Sequence, residues 1–477
     1  MFAYFLMCLL AIFIGIIAAR TAAFKPNAQP VLSEDTFDFD KDAAVDSLAQ
    51  LVRCKTISYN DHALEDDGEF EKLYALLPGL YPRVFETCEP ISIPDRALLL
   101  RWPGKKSGDP AVLMAHYDVV PVNEENWDKP PFAGIIEDGV LWGRGTLDTK
   151  VTFNAIFSAA NYLIGQGFQP ETDIYFAFSG GEEVNGLGAP NIVQYFIDHN
   201  IQPAIVVDEG GAVVENVFPG VKQPCGLIGI AEKGMMNAQF RTRSAGGHAS
   251  APKPHTPVGI LAAACKKVED HPFKAHIEGP ASQMFDTLGR YSSLLYRVIF
   301  ANMWCFGWVI DLLGRLSGGE MNALVRTTVA FTQMEGSSAR NVIPPEAKMV
   351  ANMRLNPHDS VASALEYLKK TVSNPDVEIT ALESFEPSPI SETGCAAWDK
   401  VASAVAETWR GCIVAPYLMV QCSDSRHYGK LSNHVYRFSA MDLTAEERAS
   451  IHGNNEKIRL ETIGKAVEFY IRLMKKC

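Results

Sequence analysis

Histidine and carboxylate side chains recur in this sequence beside short apolar runs that have the length of buried strands. In chain order these clusters are His116 with Asp118, Asp148, Glu182 with Glu183, Asp208 with Glu209, and His452. A single Asp at the end of a strand is more often a helix cap than a ligand. Several carboxylates buried together, however, carry a large desolvation cost unless cations neutralise them. The pattern therefore predicts a metal centre.

The types of these side chains indicate which metal. Imidazole and carboxylate ligands without a thiolate suit Zn²⁺, with Mn²⁺ or Co²⁺ as substitutes. Two histidines and three carboxylates are too many for one tetrahedral zinc with an open position, but they suit two ions ~3.5 Å apart that share a bridging carboxylate. In the triplet His116-Tyr117-Asp118, the Asp can hold the second imidazole nitrogen and so orient the ligand.

The elements that must position these side chains follow an α/β pattern. Between residues 97 and 209, apolar runs such as AVLMAHYDVV and TDIYFAFSG alternate with helical stretches, which is typical of a mainly parallel sheet flanked by helices. Ligands of such sheets bind outside the carboxyl ends of the strands. We predict a catalytic domain over 40–235 and 384–477.

The pattern changes over 236–383, where MMNAQFRTR and AKMVANMRLNP alternate apolar and polar residues around two helical stretches. This alternation predicts an inserted α+β, ferredoxin-like lid or dimerisation domain with an antiparallel sheet. Within it, NALVRTTVAFTQ is predicted to be a strand. The apolar stretch VIFANMWCFGWVI (298–310) has two readings: a buried helix, or an exposed surface for an acyl chain, a membrane or a partner.

The N-terminus is apolar, because residues 2–19 carry no charge. Eighteen helical residues span ~27 Å, close to the thickness of a bilayer core. Secretory signals normally begin with basic residues, whereas here the first basic residue, Arg20, follows the apolar run. Residues 1–20 are therefore predicted to be a single-pass membrane anchor, with a cleaved signal and secretion as the alternative, and residues 21–39 a linker.

Composition excludes several classes of protein. The chain has 477 residues, is 47% hydrophobic and 21% charged, and so differs from disordered, collagen-like or coiled-coil sequences. Its 43 Lys and Arg against 56 Asp and Glu give a net charge of −13, which makes nucleic acid a poor partner. Ten cysteines without a C-x-x-C motif exclude a disulfide scaffold and thiolate zinc fingers.

Six motifs in order give a specific resemblance: HYDVVP, GRGTLDTK, SGGEEVNG, VVDEGG, GGHAS and IHGNNE. Over about residues 45–475 they resemble the dinuclear-zinc family of aminoacylases, glutamate carboxypeptidases and succinyl-diaminopimelate desuccinylases. The spacings, the NVIPP motif and the aromatic insert most resemble its subgroup of Gly-Xaa carboxypeptidase and N-fatty-acyl-amino-acid synthase/hydrolase.

This resemblance implies the metal ligands. His116 and Asp208 would hold one zinc, Glu183 and His452 would hold the other, and Asp148 would bridge both. One position has an alternative, because many members of the family use a Glu where the subgroup favours Asp208, and Glu209 is adjacent.

The resemblance also implies roles in catalysis. Glu182 would be the general base, and Asp118 would orient the first histidine ligand. In the inserted domain His248 of GGHAS would stabilise the oxyanion, reaching in from the partner subunit of a homodimer. Arg354 of NMRLNP would bind the substrate carboxylate, and Asn341 of NVIPP would assist at the oxyanion or the carboxylate.

The expected reaction is zinc-dependent hydrolysis of an amide bond between an acyl or aminoacyl group and an amino acid with a free carboxylate. The substrate is then an N-acyl amino acid or a short peptide. The apolar stretch and the anchor favour long fatty acyl chains, and a Gly-Xaa dipeptide carboxypeptidase is the alternative. A non-catalytic metal-binding protein on the same fold is a third reading, against which the intact Glu182 argues.

Overall fold

The computed structural model describes residues 1–27 and 32–477. Residues 28–31, within the predicted linker 21–39, lie outside the described residues. The strands are β1 Glu89–Ser92, β2 Ala97–Trp102, β3 Ala111–His116, β4 Ile135–Glu137, β5 Val140–Trp142, β6 Ile174–Ser179, β7 Ile205–Val214, β8 Cys225–Glu232, β9 Gly234–Arg243, β10 Gly247–His248, β11 Thr328–Glu335, β12 Val342–Ile343, β13 Glu346–Leu355, β14 Glu378–Phe385, β15 Ile413–Met419, β16 Val435–Leu443 and β17 Lys457–Arg459.

The helices are α1 Phe2–Ala23, α2 Lys41–Val52, α3 Asp67–Leu80, α4 Pro82–Thr87, α5 Lys150–Gly165, α6 Gly188–Asp198, α7 Pro257–Asp270, α8 Gly279–Gly289, α9 Leu294–Ala301, α10 Met303–Ser317, α11 Gly319–Val325, α12 Val361–Val372, α13 Ala396–Thr408, α14 Ala445–Ser450 and α15 Leu460–Lys476. Short 3₁₀ turns cover His62–Leu64, Glu124–Asn126, Glu182–Val184 and Asp424–Lys430.

An eight-stranded sheet in the order β1-β2-β6-β3-β7-β16-β8-β15 forms the centre of the large domain. The pairs β3–β6, β3–β7, β7–β16 and β8–β15 are parallel. Every residue of β3 and of β6 is buried, as expected for strands that helices cover on both faces. Helices α5 and α15 pack together on one face, and α6 packs against β2 and β6 on the other. The predicted parallel sheet flanked by helices is confirmed.

A second, antiparallel sheet has the order β11-β13-β9-β14. Burial along β13 alternates strictly between half-buried and buried residues, because one face of this sheet packs on a core and the other does not. Helices α7 and α12 cover the buried face. The core between these helices and the sheet includes Phe240, Met349 and Leu368. The alternation of apolar and polar residues in the sequence therefore arises, as predicted, from an antiparallel sheet that helices cover on one face.

Residues 279–325 lie inside the predicted insert but pack elsewhere. Helix α8 contacts β15, and Phe285, Phe300 and Leu324 belong to the core of the large domain. The core of the small domain is built from residues of 236–273 and 347–379 instead. The predicted strand NALVRTTVAFTQ also differs, since α11 occupies its first residues and β11 begins only at Thr328.

Helix α1 stands out from the rest of the chain by its exposure. Among the described residues it is the one helix that by itself is long and apolar enough to cross a membrane, and its 18-residue apolar window is 0% buried. The bent pair α9–α10 passes the same composition test, with 114° between its two helices.

Candidate metal centre

The fold brings all five sequence clusters to one place, the Asp208–Glu209 pair through Glu209 on β7. Strand β3 ends at His116, and the strand beside it, β6, leads into the 3₁₀ turn that carries Glu182 and Glu183. Asp148 directly precedes the first turn of α5, and His452 lies in the segment between α14 and β17 with a φ of 59°. Neighbouring parallel strands end at the same edge of a sheet, so the buried apolar strands position the polar residues at their carboxyl ends.

Asp148 lies between the two histidines and contacts both. Its Oδ1 is 2.9 Å from Nε2 of His116, and its Oδ2 is 3.0 Å from Nε2 of His452. Nε2 of His452 is also 3.1 Å from Oε2 of Glu183, and Nε2 of His116 is 3.3 Å from Oε1 of Glu209. Two groups of nitrogen and oxygen donors are therefore joined through one carboxylate, which is the layout that two bridged metal ions require.

Asp118 is fully buried and organises the residues around it. Its Oδ1 lies 3.4 Å from Nδ1 of His116, whose Nδ1 is also 3.0 Å from the backbone oxygen of Asp118. The two carboxylate oxygens accept hydrogen bonds from the backbone N–H groups of Glu182 and Glu183, at 3.1 and 3.2 Å. Asp118 thus holds both the imidazole and the turn that carries the two glutamates.

The structure brings Glu209, and not Asp208, to His116. Both residues lie on β7, where successive side chains point to opposite faces. The Asp208 carboxylate is buried and accepts a hydrogen bond of 2.9 Å from the backbone N–H of Ser425. Glu209 faces the cavity instead. The subgroup resemblance implied Asp208 as the ligand beside His116. In the structure Glu209, the alternative that the sequence left open, occupies that position.

The electrostatics of the cluster favour a cation. Burial raises the pKa of Glu209 to about 8 and that of Glu182 well above its usual range, with nearby carboxylates contributing. Burial opposes the charge of Asp148 as well, but its hydrogen bonds with His116 and His452 outweigh burial and lower its pKa. The same contacts with Asp148 and Glu183 raise the pKa of His452 to about 10. The carboxylates outnumber the imidazoles, and divalent ions would neutralise the excess.

The model of peptidase family M20/M25/M40 matches residues 112–476. The chain belongs to this family. It is 34% identical over 436 residues to the probable carboxypeptidase S-like 2 of Dictyostelium discoideum, covering 90% of this chain and 84% of that protein. It is 33% identical over 465 residues to the N-fatty-acyl-amino acid synthase/hydrolase PM20D1 of Xenopus tropicalis, covering 95% of this chain and 90% of that protein.

The fold agrees with that of a solved M20 metallo-carboxypeptidase, Sso-CP2 of Sulfolobus solfataricus. The TM-score is 0.66 at 16% identity, over 91% of this chain and 98% of that chain. The predicted family and α/β fold are confirmed, and the chain is a hydrolase of a metal-dependent family. The donors found here, carboxylate oxygens and imidazole nitrogens without a thiolate, fit divalent metal ions.

Sequence reasoning missed Glu456, although it belongs to the IHGNNE motif. Its buried carboxylate accepts hydrogen bonds from Nη1 of Arg144 at 2.6 Å and from the backbone N–H groups of Gly145 and Leu147 at 3.1 and 2.7 Å. In this M20 peptidase Glu456 therefore holds the loop that presents Asp148. The signal was an acidic residue four positions after His452, in a motif already recognised.

A further buried carboxylate, Asp424, lies behind the centre. It accepts a hydrogen bond from the hydroxyl of Ser179, and burial raises its pKa. In the part of the chain that the structure describes, its Oδ1 is buried without a hydrogen-bond partner. The neighbouring Arg426 donates to the carbonyl of Ser423 at 2.7 Å and to Oδ1 of Asn185 at 3.0 Å, so it braces this loop.

The cavity at the centre has a volume of about 630 Å³. Glu182, Glu183 and His452 line it, together with apolar side chains that include Leu227, Met419 and Met441. The wall therefore has a charged end at the metal cluster, and the rest of it combines these apolar side chains with the polar Glu320, Gln421 and Arg448.

Of the predicted residues of the small domain, Arg354 contacts a residue that lines this cavity, although it does not itself line it. Its Nη1 lies 3.2 Å from Sγ of Cys422, which lines the cavity. His248 and Asn341 do not line it, because they lie at the exposed two-stranded β10–β12 sheet, where His248 pairs with Val342 and Asn341 directly precedes β12. Nδ1 of His248 accepts a hydrogen bond of 3.1 Å from the backbone N–H of Ser250 instead.

Proposed function

We propose that this M20 hydrolase carries two zinc ions and cleaves the amide bond of N-acyl amino acids or short peptides with a free C-terminal carboxylate. The observation that carries the proposal is the position of Asp148 between His116 and His452, with an acidic side chain beside each histidine. A carboxylate with both oxygens engaged on two separate donor groups is the bridge of a dinuclear centre.

The distances between these side chains support one ligand assignment. His116 and Glu209 would hold one ion, Glu183 and His452 the other, and Asp148 both. This assignment replaces Asp208 by Glu209 and keeps the four other predicted ligands. Bound zinc would lower the pKa of a water toward ~7 and polarise the scissile carbonyl.

Glu182 is proposed as the general base. It lines the cavity, and Asp118 fixes its backbone through the hydrogen bond to its N–H. Burial raises its pKa, so its carboxylate is a stronger proton acceptor than an exposed glutamate. It would take a proton from the attacking water and deliver it to the nitrogen of the leaving amine.

Arg354 would bind the substrate carboxylate, because a planar guanidinium matches a carboxylate bidentately. His248 and Asn341 would complete the site from a second copy of the chain. Their exposed position at the two-stranded β10–β12 sheet supports this role, since within one chain neither residue lines the cavity. A His donor at the developing oxyanion would contribute ~3 kcal/mol of transition-state stabilisation.

The acyl group would be a long fatty chain. The apolar part of the cavity wall, with Leu227, Met419 and Met441, supports this substrate class, as does the relative from Xenopus tropicalis named for N-fatty-acyl amino acids. A carboxypeptidase that acts on Gly-Xaa dipeptides is the second candidate, and the carboxypeptidase S-like relative favours it. Helix α1, which is exposed along its apolar window, would anchor the enzyme in a membrane.

The decisive experiment measures amino-acid release by the purified chain from a panel of lauroyl, acetyl and glycyl conjugates, with and without a chelator. We expect chelator-sensitive release that is faster for the lauroyl conjugates. Equal cleavage of acetyl and lauroyl conjugates would contradict the fatty-acyl preference. Absence of chelator-sensitive release from every conjugate would contradict the hydrolase itself.

The matching variant is Glu182→Gln, which should abolish turnover while the zinc content stays near two ions per chain. Glu366→Gln, at an exposed position of α12, serves as the control and should keep full activity. Loss of zinc from Glu182→Gln would show that Glu182 is a ligand and not the base.

A further inference from the structure

The bent helix pair α9–α10 presents apolar side chains to solvent. Trp304 and Trp308, one turn apart on α10, are 57% and 65% exposed, and Ile310 and Gly314 of the same helix are buried. The exposed large side chains of the pair are Leu294, Leu295, Trp304, Trp308, Leu312, Leu313 and Leu316. We call these seven residues the α9–α10 surface. It excludes the reading of 298–310 as a buried helix.

This surface is continuous with helix α1. Where α9 ends, the amide of Asn302 donates to Oγ1 of Thr21 at 3.2 Å, and Nε of Arg20 donates to the carbonyl of Ala301 at 3.1 Å. The rings of Phe13 and Trp304 meet edge to face, with centroids 5.8 Å apart. The apolar helix α1 and the α9–α10 surface are thus held side by side by polar contacts at one end and by an aromatic contact further along.

The contact of Trp304 with α1 indicates how deep the α9–α10 surface would lie in a bilayer. Arg20, the basic residue at the end of the apolar run, marks the level of the lipid headgroups if α1 enters a bilayer. Phe13 lies seven residues before it, so Trp304 would lie ~10 Å below that level. Amphipathic interfacial helices bury their apolar faces to ~5–10 Å.

We propose that the α9–α10 surface docks into a phospholipid bilayer beside α1. Lipid is the occupant that covers both surfaces at once, because α1 is apolar all around and exposed along its apolar window. Tryptophan, with its apolar body and its N–H group, is enriched at membrane–water interfaces. The pair is rigidly attached to the enzyme, since the buried Arg326 forms an ion pair with Asp311 on α10.

Docking brings the catalytic cavity to the lipid surface. Helix α11 follows α10 after a single residue, and its Gly319, Glu320 and Ala323 line the cavity. An N-acyl amino acid with its tail in the bilayer would therefore lie close to the entrance. This delivery step rests on the proposed hydrolase function, whereas docking itself does not.

Docking is tested by fluorescence quenching of the full-length protein in phosphatidylcholine vesicles with ordinary or brominated acyl chains. We expect brominated lipid to quench the wild-type emission. The quenching should be largely lost in Trp304→Phe/Trp308→Phe, which keeps the surface apolar but removes its two reporters from among seven tryptophans. Equal quenching of wild type and variant would overturn the proposal.

Two further outcomes would also overturn docking. If α1 is inserted, as shown by resistance to carbonate extraction, and brominated lipid does not quench, the surface lies outside the bilayer. If Trp304→Ser/Trp308→Ser lowers the oligomeric mass of the protein in detergent, the surface is covered by a second copy of the chain.

The delivery step is tested with Trp304→Ser/Trp308→Ser acting on vesicle-borne oleoyl conjugates and on water-soluble acetyl conjugates. We expect about a tenfold loss of kcat/KM on the vesicle substrate, since burying a large apolar side chain is worth at least this factor, and no loss on the soluble one. The control Leu187→Ser/Ile197→Ser, at exposed apolar positions of another region, should be unaffected on both. Unchanged cleavage of vesicle substrate would overturn delivery. If the wild type cleaves neither conjugate, the hydrolase proposal fails, and the quenching result still decides docking.

Discussion

At the scale of single residues, the choice between two adjacent carboxylates on β7 decides which atoms surround the metal. A strand can present Asp208 or Glu209 to the cavity, but not both, because neighbouring side chains point to opposite faces. The peptide N–H of Ser425 holds Asp208 on the side away from the cavity, and this contact comes from a loop more than two hundred residues later. The motif VVDEGG by itself contains both candidates, so the sequence could not choose between them.

The two residues can be told apart by their amide variants. Glu209→Gln should lower the zinc content from two ions per chain toward one and remove activity, because one donor group loses its charged ligand. Asp208→Asn, the matched control one position earlier, should keep both ions, since its carboxylate binds a peptide N–H. Metal analysis of the dialysed proteins measures this difference. The reverse result would restore Asp208 as the ligand.

Glu456 is a second single residue that affects the metal centre, although it does not line the cavity. Glu456→Gln leaves the buried Arg144 without its anionic partner, and breaking such a pair costs ~3–5 kcal/mol. We expect a lower melting temperature and weaker zinc binding, because the loop before Asp148 loses its acceptor. Glu446→Gln, at an exposed neighbouring position, should change neither. Weaker zinc binding without a lower melting temperature would mean that Glu456 acts on the metal and not through the loop.

At the scale of elements, the apolar runs that became β3, β6 and β7 and the helix α5 were predictable, because each buries a continuous apolar sequence. The same local signals failed over 279–325. The sequence of those residues predicts apolar helices whichever domain they pack against. Only the tertiary contact of α8 with β15 assigns them to the large domain. The roles of Glu456 and Asp424 were invisible for the same reason, since their partners lie far away in the chain.

The two-stranded β10–β12 sheet places His248 on an exposed surface, outside the cavity wall. If His248 acts on the site of a second copy, two inactive chains should complement each other. His248→Ala and Glu182→Gln, carrying different tags, are co-expressed, and the doubly tagged dimer is purified. One of its two sites combines an intact base with an intact histidine, so we expect about half of the wild-type activity. A doubly tagged dimer without activity, or the absence of a dimer, would contradict a role in trans.

At the scale of the whole molecule, the two cores meet around Lys233, between β8 and β9. Its Nζ donates to the carbonyls of Ala323 and Arg326 at 3.0 and 2.8 Å, where the chain leaves α11 for the small sheet. The backbone N–H of the preceding Glu232 donates to the hydroxyl of Ser388, and its carbonyl accepts from the backbone N–H of Ser388, on the segment that returns to the large domain. Lys233 and Glu232 therefore link the β8–β9 crossing to the two other crossings between the domains.

The protonation of Lys233 makes this junction sensitive to pH. Burial, and then the charge of Arg354, lower the pKa of its amine to about 7, from 10.5 in an exposed lysine. Between these values the unfolded chain binds a proton that the folded chain lacks, so this group makes the protein more stable as pH rises. One such proton changes the free energy of unfolding by about 1.4 kcal/mol per pH unit.

Lys233→Met removes the titrating amine and should flatten this dependence. The free energy of unfolding of the wild type, minus that of the variant, should increase steadily from pH 7 to pH 10 in urea titrations, whatever the offset between the two proteins at pH 7. Asp359 and Cys422, which also face the amine, are present in both proteins, so their own titration largely cancels in the difference. Parallel stability profiles would mean that Lys233 is already charged in the folded protein, and the junction would then be held by an ammonium bound to two carbonyls.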